Sequence, residues 1–180
     1  MHVRPETDAD RAAIRAVNEA AFESSAEADI VDSLRAHQGD EVVSLVAERD
    51  GDVAGHILFS RVAIVGHEGL KLMSLGPLAV LPGHQRSGVG SELVRDGLIR
   101  CRESGAQAVV VVGHPQFYPR FGFVPAHRYA ILCEFDVPDD VFMLVELTPE
   151  ALSGVSGVVV YDAAFDGADH SPPQPVSPAP

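Results

Sequence analysis

The sequence predicts one α/β domain built around a mixed sheet. Three observations carry that expectation. Segments of helical period alternate with segments of strand period along most of the 180 residues. Three consecutive strand patterns in the first half are joined by short turns, as in a meander. The run Ala108–Val112 is continuously apolar and follows a helix, as a strand buried on both faces should. With 46% hydrophobic residues the chain has enough apolar mass for a packed core.

The first helix is expected after Thr7, which can cap it, with Asp10 as capping-box partner. Ile14, Val17 and Ala21 then follow helical spacing. A second helix is expected over residues 27–37, with Ile30, Val31 and Leu34 on one side and Gly39 as its stop. A strand over 42–48 leads to Asp50-Gly51, a dipeptide suited to a type I′ turn because both central residues need positive φ. The return strand covers 53–65, Gly66-His67-Glu68-Gly69 turns the chain, and a third strand runs over 71–80. Pro82-Gly83 ends it. A helix follows over 88–104, with Leu93, Val94, Leu98 and Cys101 inward and Gly105 closing it. After the apolar strand come a short helical turn over 116–121, a strand over 129–135, a turn at Pro138-Asp139-Asp140, a strand over 141–147 and a last one over 158–161. Residues 1–165 thus form a single domain. Residues 166–180, rich in Pro, Ser and small side chains, are expected to be a disordered tail.

Composition narrows the function classes. The net charge of −13 repels a nucleic-acid duplex, and no basic cluster relieves it, so no nucleic-acid partner is expected. No apolar run reaches the length of a membrane span, and the polar start Met1-His2-Val3-Arg4-Pro5-Glu6 lacks a signal-peptide layout; a cytoplasmic protein without membrane partner is expected. Two cysteines make neither a disulfide framework nor a metal cluster, and Cys101 reads as a small buried hydrophobe. His67, His84 and His114 lack ligand-like spacing, so no metal is expected. No Gly-x-Ser-x-Gly elbow supports a serine hydrolase.

The segment from Leu75 to Ser91 reads LGPLAVLPGHQRSGVGS. A strand delivers the chain to a turn, and two glycines then open a helix. The first amides of a helix lack intrahelical partners and form its positive end, so an anion such as a pyrophosphate can dock there. Gly88 and Gly90 remove side chains that would block the approach, and Arg86 can add charge. The spacing matches neither a Walker A loop nor Gly-x-Gly-x-x-Gly.

Gln85-Arg86-Ser87-Gly88-Val89-Gly90 resembles the Gln/Arg-x-x-Gly-x-Gly/Ala signature of GNAT acetyltransferases, and the order of elements is similar over roughly residues 2–147. The resemblance implies a mostly antiparallel mixed sheet with splayed middle strands and helices on both faces. It implies acetyl-CoA as co-substrate, with Leu78, Ala79 and Val80 along the pantetheine arm, the loop Gln85, Arg86, Ser87, Gly88, Val89, Gly90 and Ser91 around the pyrophosphate, and Phe117 beside the cofactor. The wording Pro-x-Phe-Tyr-x-Arg-Phe-Gly-Phe-x-Pro from Pro115 to Pro125 is similar to a bacterial subgroup of N-acetyltransferases with mostly unassigned substrates.

The same resemblance implies that Tyr118, four residues before Gly122-Phe123, is the general acid that protonates the departing thiolate; a phenol near the sulfur can do so. The null alternative is a tyrosine that packs with Phe117, Phe121 and Phe123. The amine acceptor must be neutral to attack. Several family members carry a carboxylate on the strand before the loop, but Leu72-Met73-Ser74-Leu75-Gly76 has none. Glu48, His56, Glu27 and His114 are the remaining base candidates, beside a water-mediated route. The expected activity is direct acetyl transfer to a primary amine by a monomer or homodimer, with a catalytically silent acyl-CoA sensor as the alternative.

Overall fold

The central strands are buried almost continuously, and their successive side chains enter apolar clusters on opposite faces of the sheet, as a period of two requires. The computed structural model describes residues 1–167. Its strands are β1 (His2–Pro5), β2 (Val43–Arg49), β3 (Asp52–Ile64), β4 (Leu72–Val80), β5 (Ala108–Val112), β6 (Val124–Pro125), β7 (Ile131–Cys133), β8 (Phe142–Glu146) and β9 (Gly157–Val160). The α-helices are α1 (Arg11–Phe22), α2 (Ala26–Gln38) and α3 (Val89–Glu103). The main sheet has the order β1-β2-β3-β4-β5-β8-β6. Leu45, Ile57, Phe59, Met73 and Val109 pack on one face with Leu93, Val94 and Cys101 of α3. On the opposite face Val46 and Leu58 pack with Ile14 of α1 and with Val31 and Leu34 of α2. Each such side chain, fully buried, contributes roughly 1.5–3 kcal/mol.

The expected elements form for the expected local reasons. Asp10 accepts the Thr7 amide at 2.7 Å and its hydroxyl at 2.8 Å, closing the start of the first helical segment. Asp50 and Gly51 both take positive φ, 56° and 97°, and join β2 to β3. All neighbours in the main sheet are antiparallel except β4 and β5. These two run parallel and pair only from Leu72–Ala108 to Leu75–Val111. Beyond that point β4 shifts register against β3 between Ile57 and Phe59, leaving Gly76 and Pro77 in a bulge, and β5 ends at Val112. The middle of the sheet therefore splays, with α3 on one face and α1 and α2 on the other.

The structure departs from the sequence expectations in three places. His2–Pro5 forms an edge strand on β2, with Val3 opposite Ala47, where only a polar start was expected. The strand expected over 129–135 shrinks to Ile131–Cys133, because Ala126–Tyr129 is a 3-10 turn and Ala130 is left-handed at φ 53°. It pairs in parallel with β9 and not as a hairpin with β8, whose outer neighbour is β6. The expected tail lies outside the described residues except for Asp166 and Gly167, which form a turn.

Candidate active site

The splay between β4 and β5 opens a cleft of about 940 Å³. Ser74, Leu75, Gly76, Pro77, Leu78 and Val80 form one wall, and Val112, Gly113 and His114 the other. Because α3 starts on one face of the sheet and α1 and α2 cover the other, the cleft connects the start of α3 with the α1–α2 face.

At its first end lies the glycine loop. Pro82–His84 makes a 3-10 turn, Gln85 is extended, and Arg86 and Gly88 take positive φ of 58° and 94°. Gly88 caps α3, and its position in the left-handed region explains why glycine stands there. The first bond of the helix runs from the Glu92 amide to the Gly88 carbonyl at 3.1 Å. The amides of Val89, Gly90 and Ser91 precede it and belong to the positive helix end. A Cβ at Gly90 would meet nothing nearer than Val80 at 3.7 Å, with Leu78 and Phe117 at 3.8 Å. No protein contact demands glycine there, so the space in front of those amides suits an approaching anion. Gln85, Arg86, Gly88, Gly90 and Ser91 line the cleft. The Ser87 hydroxyl instead donates to the His84 carbonyl at 2.6 Å and accepts from Arg49 at 3.1 Å. Ala79 is fully buried on β4, and Val89 faces the core.

Tyr118 opens a 3-10 turn (Tyr118–Phe121) and is 7% exposed. Its ring stands edge-on to Phe117 at 5.0 Å and to Phe123 at 5.5 Å. It also packs directly over Gly113, where a Cβ would lie 2.3 Å from the ring. The aromatic packing weighed as an alternative is thus present, yet Tyr118 also lines the cleft. Burial raises its pKa above the ordinary phenol value, so the hydroxyl keeps its proton at neutral pH. Gly113 was missed from sequence; a glycine ending an apolar strand signals such a close approach.

Two base candidates lie elsewhere. Arg4 donates to Glu48 at 2.9 and 2.6 Å while also holding Asp10, which ties β1 to β2. His56 is fully buried on the α1–α2 face. Asn18 donates to its Nδ1 at 3.1 Å, which leaves the proton on Nε2 for the Ser44 oxygen at 2.9 Å. Ser44 in turn donates to Glu6, which Arg35 holds with two bonds of 2.8 and 2.7 Å. Burial, opposed by Glu6, lowers the His56 pKa and keeps the ring neutral. Burial would raise Glu6, but the nearby His56 ring, at 3.7 Å, and bonds from Arg35 and Ser44 outweigh it and hold the carboxyl at about 2. Neither Glu48 nor His56 lines the cleft, whereas Glu27 and His114 do.

The far end of the cleft is walled by Phe22, Ile30, Phe135, Tyr161 and Phe165, with Glu27 among them. No group of three or more potential metal ligands occurs among the described residues, and no helix among them is long and apolar enough to cross a membrane.

A family model described as an acetyltransferase (GNAT) domain matches residues 2–126. The uncharacterized N-acetyltransferase YhbS of Escherichia coli K12 is 37% identical over 167 residues, spanning 92% of this chain and 99% of the relative. YjhQ of the same strain, also an uncharacterized N-acetyltransferase, is 43% identical over 174 residues, spanning 93% and 95%. The crystal structure of E. coli YhbS in complex with CoA superposes with a TM-score of 0.85 at 35% identity, covering 92% of this chain and 91% of that one. A GNAT family acetyltransferase from Brucella melitensis, in complex with acetyl-CoA, gives 0.75 at 39% identity, covering 92% and 97%. The chain belongs to the GNAT acetyltransferase family.

Proposed function

We propose that this GNAT-family chain moves an acetyl group from acetyl-CoA to a primary amine in one direct step. The observation that carries this is the joint placement, in one cleft, of the first-turn amides of α3, the β4 edge released from β5, and Tyr118. The relatives crystallised with CoA and acetyl-CoA add support.

Acetyl-CoA supplies an activated thioester. The amides of Val89, Gly90 and Ser91 would hold its pyrophosphate, with Gln85 and Arg86 beside them and Leu78, Val80 and Phe117 along the arm. The acceptor attacks as the neutral amine. As the C–N bond forms and the C–S bond breaks, the Tyr118 hydroxyl gives its proton to sulfur. The surplus proton on nitrogen then leaves and the phenol is restored, so amine and thioester become amide and free thiol. The ammonium form of the acceptor loses its first proton inside the open cleft, where Glu27, His114 and water are available, since Glu48 and His56 are committed to other partners.

Release of free thiol with a panel of amines tests this activity. Tyr118→Phe should lower kcat about 100-fold or more while leaving acetyl-CoA affinity unchanged. Equal turnover in the variant, or binding of acetyl-CoA without acylation of any amine, would overturn it. The wild-type rate should climb with pH as the acceptor deprotonates, and the raised Tyr118 pKa should carry any falling limb above pH ~10, the ordinary phenol value.

A further inference from the structure

Glu27 sits in the first turn of α2, at the positive end of that helix. Its Oε2 is shielded from solvent, and no protein donor reaches it among the described residues. Carboxylates around it have cationic partners: Glu6 has Arg35, Asp10 has Arg4, and Asp29 and Asp32 have Arg15. A shielded carboxylate oxygen without a donor is costly unless something arrives to bond it. Glu27 lines the cleft, so what arrives can come from there.

The neighbours define what fits. Ile30, one turn along α2, shares an apolar cluster with Phe165. Phe165 stands edge-on to Tyr161 at 5.4 Å, and Tyr161 lies 5.0 Å from Phe135. An aromatic wall thus continues from the Glu27 turn. The cations that line the cleft are Arg86, in the glycine loop, and Arg120, stacked on the Phe117 ring at 4.5 Å. Neither belongs to the α2 turn or to this wall, so among the described residues a carboxylate or phosphate on the acceptor would meet Glu27 and the aromatic wall, whose unpartnered polar atom is the neutral Tyr161 hydroxyl, with no counter-charge.

Building on the acetyl-transfer reading, we infer that Glu27 receives the ammonium of the acceptor and that the wall beside it selects amines with an apolar, uncharged body: arylalkyl- and alkylamines in place of amino acids. Aromatic faces add a weak attraction for the cation and a dry surface for the body.

The test uses the full chain with 2-phenylethylamine, hexylamine, phenylalanine and a lysine-containing peptide. The two simple amines should be acetylated with kcat/KM at least about tenfold above phenylalanine and the peptide. Glu27→Gln should raise the KM for 2-phenylethylamine roughly 10- to 100-fold, the loss of one charge-assisted bond. The KM for acetyl-CoA should stay unchanged, and Glu27→Asp should recover part of the loss. A Glu27 that serves only the helix end would leave the amine KM alone whatever it does to the thermal midpoint, which overturns the inference. Preferred acetylation of phenylalanine or the peptide overturns it as well while leaving acetyl transfer standing. Acetyl-CoA binding with no amine of any class acylated removes the activity itself.

Discussion

Two groups of titratable side chains lie on the α1–α2 side of the sheet, and they differ in how their hydrogen bonds end. In the chain Asn18–His56–Ser44–Glu6–Arg35 each donor meets an acceptor within the protein, and His56 has no exposed surface; Asn18 Oδ1 has no donor among the described residues but is sealed in the packing. Glu27, in the same layer, also leaves an oxygen without a partner, and it faces the cleft. A bonded buried network specifies packing, while an unsatisfied group in a cavity is available for chemistry. Residue type alone does not separate the two; access to the cleft does.

The largest expected effect lies at the cofactor end. Gly90→Glu would put a carboxylate where the amides of Val89, Gly90 and Ser91 await an anion. Its Cβ finds only ordinary contacts at 3.7–3.8 Å, so the fold should survive. Acetyl-CoA affinity should fall more than about 100-fold by calorimetric titration, with the circular dichroism spectrum unchanged. Retained affinity would break the division of the cleft into an anion end and an acceptor end. Gly90 is a cleaner position than Gly88, where φ of 94° would add strain to any side chain.

The closed network should answer in stability and not in catalysis. His56→Ala leaves Asn18 and Ser44 without their partner and opens a void, so about 2–4 kcal/mol should be lost in chemical denaturation. The pH dependence of kcat/KM should be unmoved. The linkage has one sign throughout. Native His56 stays neutral, so the unfolded state takes up a proton first as pH falls through ~6.5, and stability declines. Glu6, held at about 2, adds a second decline below pH ~4.3, because the unfolded carboxylate protonates before the native one. In His56→Ala the upper part of that slope should vanish. A changed pH–rate profile would instead return His56 to the list of bases.

The contrast also explains what was legible in the sequence. The meander, the glycine loop and the α3 helix rest on local signals, such as Asp50-Gly51, Gly88 and the apolar spacing of Leu93, Val94 and Cys101, and the structure has them in place. The family resemblance points to Tyr118 by its place before Gly122-Phe123, and Tyr118 lines the cleft. Glu48 and His56 read as base candidates by residue type, but their neighbours Arg4, Glu6 and Asn18 lie 38–50 positions away. Such distances leave no mark in a single sequence, and neither does the parallel pairing of β7 with β9. The edge strand His2–Pro5 is four residues long and half-exposed, so it has no apolar alternation to betray it. The aromatic wall was scattered over Phe22, Phe135, Tyr161 and Phe165, and only the fold assembles it.

The smallest expected effect tests whether the anion end works through backbone or side chains. Ser87 belongs to the loop by resemblance, yet its hydroxyl is engaged inside the loop with the His84 carbonyl and Arg49. Ser87→Ala removes those two exposed contacts and none of the amides of Val89, Gly90 and Ser91. The KM for acetyl-CoA should therefore rise less than about threefold, under 1 kcal/mol, with kcat unchanged. An increase of tenfold or more would shift the holding of the pyrophosphate from helix amides to a side chain. It would also make the Gly90→Glu result a matter of bulk. With both variants measured under one set of conditions, a large loss at Gly90 and a small one at Ser87 together assign the site to the α3 backbone.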